Sequence, residues 1–184
     1  MCIRDRDTIT DGDGDTAKAS DTIDLGTNLV FKDDGPSIEV TKTADPVDIL
    51  TVDESDFTKD ATANFADNFT NNFVDPGSYG ADGAGTVTSA YTLSVAAGTT
   101  GLVDTLSKQA VVLSMNGTVV EGKAGSNIVF TLTTDASGNV TLDQQRAVVH
   151  PIPGDGTNPP DSHDEPISLS SDLITLTRED TIID

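Results

Sequence analysis

An all-β sandwich is the fold class this sequence predicts, and three observations predict it. Short segments rich in Val, Ile, Thr and aromatic residues alternate apolar with polar positions. Clusters of Gly, Asn, Asp and Pro punctuate them at short intervals. No stretch of ten residues sustains a 3.6-residue apolar period, so long helices are not expected.

Taken in order, "TIDL" and "NLVFK" read as strands flanking Gly26-Thr27. "SIEVTK" follows a turn at Asp33-Asp34-Gly35-Pro36, and "VDILTV" follows Asp45-Pro46. "DFTKDATANFADNF" sets Phe57, Phe65 and Phe69 loosely on one side and reads as a short helix or an irregular crossover. Gly85 to Val95 is the clearest strand, with Val87, Ser89, Tyr91, Leu93 and Val95 on one face and threonines and Ser94 on the other. "AVVLSM" and "TVVEG" join at Asn116-Gly117, a strong hairpin signal. "NIVFTLTTD" and "NVTLDQQRAVVH" meet at Ala136-Ser137-Gly138, and "ISL" and "DLITLT" complete the set. Asp75 to Gly85 is a Gly- and Asp-rich loop. Pro151 to Pro166 holds five of the eight prolines and cannot be a central strand.

Charge narrows the function. Acidic residues number 31 against 10 basic, a formal net charge of −21. That excludes a nucleic-acid footprint, which is basic. It also sets the compact state against its own repulsion, which bound cations relieve. Aromatic residues are 4% of the chain, which leaves few beyond the core to grip a ligand. No apolar run approaches the ~20 residues of a membrane span, and no cleavable signal peptide opens the chain. Cys2 is the one cysteine, so no internal disulfide forms. Residues 1–6, "MCIRDR", hold that cysteine and two of the four arginines. They resemble an adapter-derived peptide and are set aside as a non-native leader.

Asp11, Asp13 and Asp15 alternate with Gly12 and Gly14. Glycine lets the backbone fold sharply, so the three carboxylates converge, and converging carboxylates repel unless a cation lies between them. A hard cation with irregular coordination fits, which points to Ca²⁺. The EF-hand pattern fails, because Thr16 and Thr22 stand where its Gly and Glu belong. Further ligands must come from elsewhere, and Asp33, Asp34, Asp53 and Glu54 are the candidates.

Catalysis has little support. No Gly-x-Ser-x-Gly elbow and no zinc-spaced His pair occurs. His150 and His163 flank the Pro-rich loop with Asp161, Asp164 and Glu165 nearby, an ordinary solvated arrangement. The expectation is that the chain is not an enzyme.

The two ends share words. Asp7-Thr8-Ile9-Thr10-Asp11 matches Asp180-Thr181-Ile182-Ile183-Asp184 with one mismatch, 173 residues apart. This predicts one period of a tandem array whose unit is a whole domain, longer than any solenoid repeat. Residues 7–35 are then the end of one unit, with the junction at 33–36, and residues 36–184 are the next.

"TDGDGDTA", "TIDLGTNLVFKDDGPSI", "LTVDESD", "SYGADGAGTVT", "YTLSV", "QRAVVH" and "SDLITLT" together resemble the large tandem repeats of giant type I-secreted RTX adhesins, the type I secretion target repeats of RTX-related calcium-binding proteins. The resemblance runs from Asp7 across nearly the whole chain. It implies an immunoglobulin-like β-sandwich serving as a calcium-stiffened extender of an extracellular or bacterial cell-surface adhesin, in the setting of cell adhesion and biofilm. It places Asp11, Asp13 and Asp15 in the acidic loop and Asp33 and Asp34 at the junction. The implied partners are neighbouring repeats of the same polypeptide, with the glycan or cell-surface target carried elsewhere on the full-length protein. No membrane insertion is implied. The alternative is a glycan- or protein-binding adhesion module of the same kind of protein.

Overall fold

The computed structural model describes residues 4–75, 77–81, 83–150 and 166–183. It is all-β, with eleven strands and three single 3₁₀ turns among the described residues. No helix there is long and apolar enough to cross a membrane. The chain divides into two compact units, Met1–Gly35 and Pro36–Asp184. His163, Asp161, Asp164 and Glu165 of the Pro-rich loop lie outside the described residues.

The first unit is a hairpin. Strands β1 (Arg4–Thr10) and β2 (Thr16–Thr22) pair antiparallel, from Arg4 opposite Thr22 to Thr10 opposite Thr16. Arg4 to Arg6, expected to stand apart, continue β1. The strands expected at "TIDL" and "NLVFK" do not form. Asp24 Oδ1 accepts the Gly26 N–H at 2.8 Å and starts a 3₁₀ turn, Gly26–Asn28, where the strands would have met. Phe31 is left 93% exposed.

The second unit is a sandwich of sheets. Its early strands are short: β3 (Val40–Lys42), β4 (Ala61–Asn64) and β5 (Phe69–Asn71). The segment left open between helix and crossover is therefore two strands around a 3₁₀ turn, Ala66–Asn68. "VDILTV" is not a strand, although Leu50 packs against the core from it. Strand β6 (Thr86–Val95) is followed by β7 (Val112–Asn116), β8 (Val119–Ala124), β9 (Asn127–Thr134), β10 (Asn139–Gln144) and β11 (Ile174–Ile183). The main sheet runs β4-β10-β9-β8-β7. Two ribbons, β11-β6 and β3-β5, complete the unit. The turn between β7 and β8 falls one residue later than the Asn-Gly signal suggests. Asn116 stays in the ladder opposite Val119 and donates to Glu121, so the loop is Gly117-Thr118, with Gly117 at φ +61°.

Period two explains the core. Leu93 of β6 meets Val120, Leu132 and Val140 of the main sheet, with Val95, Ile174 and Leu176 of the ribbon against them. A second cluster of Leu102, Val111, Ala124, Val129, Phe130 and Val148 continues it. Burying a side chain of this kind contributes about 1.5–3 kcal/mol. A β-bulge separates the clusters. Gly122 faces Phe130, and the next pair is Lys123 with Ile128, so Val129 is the extra residue. Its carbonyl accepts the N–H groups of both Gln145 and Arg146. Gly122 has to be glycine, because a Cβ there would enter the Phe130 ring.

Two scarce arginines hold buried aspartates. Asp104 is fully buried and takes both arms of the Arg146 fork at 2.9 Å, plus the Ser107 N–H. These bonds, Arg146 first, hold its carboxyl well below the usual range. Arg178 forks onto Asp180 at 2.8 and 2.9 Å and lies 6.0 Å over the Tyr91 ring. Burial alone would push Asp180 up, but Arg178, Asn71 and Ser89 outweigh it and keep it low.

Two outcomes are expected. Leu132→Ala should lower stability by about 2–5 kcal/mol in denaturant unfolding, while exposed Thr133→Ala stays within about 0.5 kcal/mol. Equal effects would contradict the core assignment. Because Asp104's folded pKa is depressed, its contribution is complete above its unfolded value of about 4 and is lost as pH falls below that. Melting curves of wild type and Asp104→Asn should therefore differ at about pH 7 and converge toward about pH 2. A constant difference would contradict the pairing.

Candidate metal centre

The β1–β2 hairpin turns through Asp11-Gly12-Asp13-Gly14-Asp15. The Asp11 N–H donates to the Asp15 carbonyl at 3.0 Å, and the Gly14 N–H donates back to the Asp11 carbonyl at 3.3 Å. Asp11 Oδ1 accepts the amides of Asp15 at 3.0 Å and Asp13 at 3.3 Å. Gly14 sits at φ +102°, a conformation closed to most side chains. The chain thus curls around one carboxylate.

Asp11, Asp13 and Asp15 each bring a carboxylate oxygen to within 4.8 Å of the others, all three exposed. Two oxygens on opposite sides of a Ca²⁺ ion, each at about 2.3–2.6 Å, stand about that far apart. Three aspartates offer roughly three to six of the six to eight oxygens the ion takes, with water supplying the rest. The donor set fits a weak, solvent-open calcium site.

A second loop provides an internal comparison. Between β9 and β10, Asp135-Ala136-Ser137-Gly138-Asn139 makes the same bonds. The Asp135 N–H donates to the Asn139 carbonyl at 3.1 Å, and the Gly138 N–H donates to the Asp135 carbonyl at 3.2 Å. Asp135 Oδ1 accepts the amides of Ser137 and Asn139, both at 2.9 Å. Gly138 has φ +80°. The turn therefore requires Asp first and Gly fourth. Its third and fifth positions hold uncharged Ser137 and Asn139, and the Asn139 side-chain amide donates to Asp135 Oδ2 at 2.7 Å. Asp13 and Asp15 are not demanded by the backbone, and their repulsion is what a cation would relieve.

The other predicted ligands are placed differently. Asp33 and Asp34 lie exposed in irregular chain and are not in the acidic group. Asp53 Oδ1 accepts the Ser55 N–H at 2.8 Å, the main reason its carboxyl is lowered. Glu54 Oε1 accepts the Val148 N–H at 2.8 Å and Gln144 Nε2 at 3.0 Å, with His150 Nε2 at 3.4 Å. That oxygen ties the irregular segment before β4 to the end of β10. Asp53 and Glu54 thus already have structural partners in the second unit. The sequence reading missed the Asp104–Arg146 and Asp180–Arg178 pairs. The signal available was an arginine embedded in apolar strand sequence in a chain with only four.

A search among curated proteins and one among solved structures each find no match to the chain. One family pattern does match, over residues 49–184, well over half of the sequence and all within the second unit. The chain belongs to the family described as Domain of unknown function (DUF5801).

Proposed function

We propose that the chain is a calcium-dependent structural extender domain of a large secreted or cell-surface bacterial adhesin, acting outside the cell and without catalysis. One observation carries the reading. Two hairpin loops share one pattern of backbone bonds, and only the "DGDGD" loop fills its third and fifth positions with carboxylates. Asp11, Asp13 and Asp15 would hold the ion. Bound there, Ca²⁺ supplies positive charge that offsets the mutual repulsion of the three carboxylates. The chain's own residues do the rest. Asp11 fixes the turn through the amides it accepts, and Asp13 and Asp15 each bring a carboxylate oxygen within 4.8 Å of one of its own. A stiffened hairpin tip limits the motion of whatever chain adjoins it, which is the mechanical task of an extender. The −21 charge supports the same reading, since an acidic surface of that size concentrates divalent cations. Asp33 and Asp34 are the ligands a neighbouring repeat would bring toward a junction.

Calorimetry on the full chain tests this. Ca²⁺ is expected to bind with a dissociation constant of about 10⁻⁴–10⁻³ M, the range of extracellular modules. Mg²⁺, which demands a tight octahedron, should bind far more weakly. Asp13→Asn combined with Asp15→Asn keeps the turn, as Ser137 and Asn139 do in the comparison loop, and should abolish that binding. Unchanged calcium binding in the double variant would refute the site.

A further inference from the structure

We infer that the open edge of β11 is a docking surface for the Thr16–Thr22 strand of a second copy of this chain. In a tandem array that copy is the following unit, so the inference deepens the extender reading and rests on it.

Four observations on the page converge. The first is sequence in place. Asp7-Thr8-Ile9 lies within β1 and recurs as Asp180-Thr181-Ile182 within β11, so the repeated words are strand in both positions. In the first unit these residues already have a partner, with Asp7 opposite Ala19, Thr8 opposite Lys18 and Ile9 opposite Ala17. The same register carried to β11 sets Ala19, Lys18 and Ala17 opposite Asp180, Thr181 and Ile182.

The second is unmet pairing. Strand β11 pairs along its whole length with β6 and with no other described strand. Its second edge therefore offers a row of backbone donors and acceptors. The β1–β2 hairpin has the complementary deficit. Among residues 7–35 every side chain is exposed except half-buried Leu25. A two-stranded hairpin on its own is marginal in water.

The third is side-chain chemistry. Along β11 half-buried and exposed residues alternate, with Asp180 and Ile182 half-buried and Glu179 and Thr181 exposed. In the transferred register Ala17 and Ala19 join the half-buried face, where small apolar residues fit. Lys18 joins the exposed face, diagonal to Glu179, an opposite-charge pair on one surface.

The fourth is space. An open groove beside β11 is lined by Asp180, Thr181 and Ile182 on one wall and by Pro36, Ser37 and Ile38 on the other. Side chains of a strand alternate between faces, so three consecutive residues line a groove only where the strand shows its edge.

Disulfide trapping between two single-cysteine proteins tests the inference. Both carry Cys2→Ser. One carries Lys18→Cys and the other Thr181→Cys, both at exposed positions. Because each molecule has one thiol, a link between the two positions has to join two copies. Mixed in a glutathione buffer, the pair should yield a heterodimer about tenfold above the homodimers, because pairing raises the local thiol concentration. Ala19→Cys with Thr181→Cys, one residue out of register and on the opposite face, should give only the product ratio of random collision. A random ratio in the first mixture, or an equal bias in the second, overturns the inference. Each mixture is run in calcium and in chelator. A random ratio in both, from protein that still binds calcium by calorimetry, overturns the docking alone. A strong bias from protein that binds no calcium overturns the calcium reading alone.

Discussion

The contact between the β6–β11 ribbon and the main sheet is what the second unit depends on. Leu93, Val120, Leu132 and Val140 meet there, and the cluster of Leu102, Val111, Ala124, Val129, Phe130 and Val148 continues the core. The sandwich closes only because β11 returns after a long connection to lie beside β6 over ten residues. That return fixes Ile174 and Leu176 over the core. It also carries Arg178 and Asp180 to Tyr91 and Asn71, where a polar pair replaces apolar packing at the ribbon's far end. Among the described residues the same return leaves the other edge of β11 without a strand partner.

Charge is managed in three ways, each set by local chemistry. Buried carboxylates meet arginine forks, as Asp104 meets Arg146 and Asp180 meets Arg178. Turn aspartates accept backbone amides, as Asp11, Asp53, Asp56 and Asp135 do, and at Asp53 the Ser55 amide is the first cause of a lowered carboxyl. With 10 basic residues against 31 acidic ones, neither device extends to every carboxylate. Asp13 and Asp15 sit beside Asp11 in one exposed acidic group. A cation from solution is a third device, and it is the one the proposed extender reading uses.

Much of the fold was legible because period two is a strong signal where one face is buried. The β6 alternation, the hairpins β7–β8 and β9–β10 and the strand beginning at Ile174 all follow from it. The strand expectations failed for separate local reasons. "NLVFK" carries the residues of a strand, but the Gly26 N–H donates to Asp24 Oδ1 and a 3₁₀ turn takes Gly26–Asn28. "TANF" and "FTN" form strands with little apolar content, because β10 and β3 provide ladders that no local pattern encodes. The acidic loop was legible from its spacing. Its meaning became clear only beside Asp135–Asn139, since the two turns share their bonds but only Asp first and Gly fourth in sequence. The structural work of Glu54 was not legible, because Val148 and Gln144 reach it from more than ninety positions along the chain.

The central claim is that Asp13 and Asp15 turn an ordinary hairpin loop into a cation site. The most direct measurement is a calcium titration of the full chain at constant ionic strength, followed by amide chemical shifts in nuclear magnetic resonance. The account predicts that the amides of Asp11 to Asp15 shift and saturate, while those of Asp135 to Asn139, in the same backbone turn, do not. Equal, unsaturating drifts in both loops would mean that the aspartates only solvate the turn, and would contradict it.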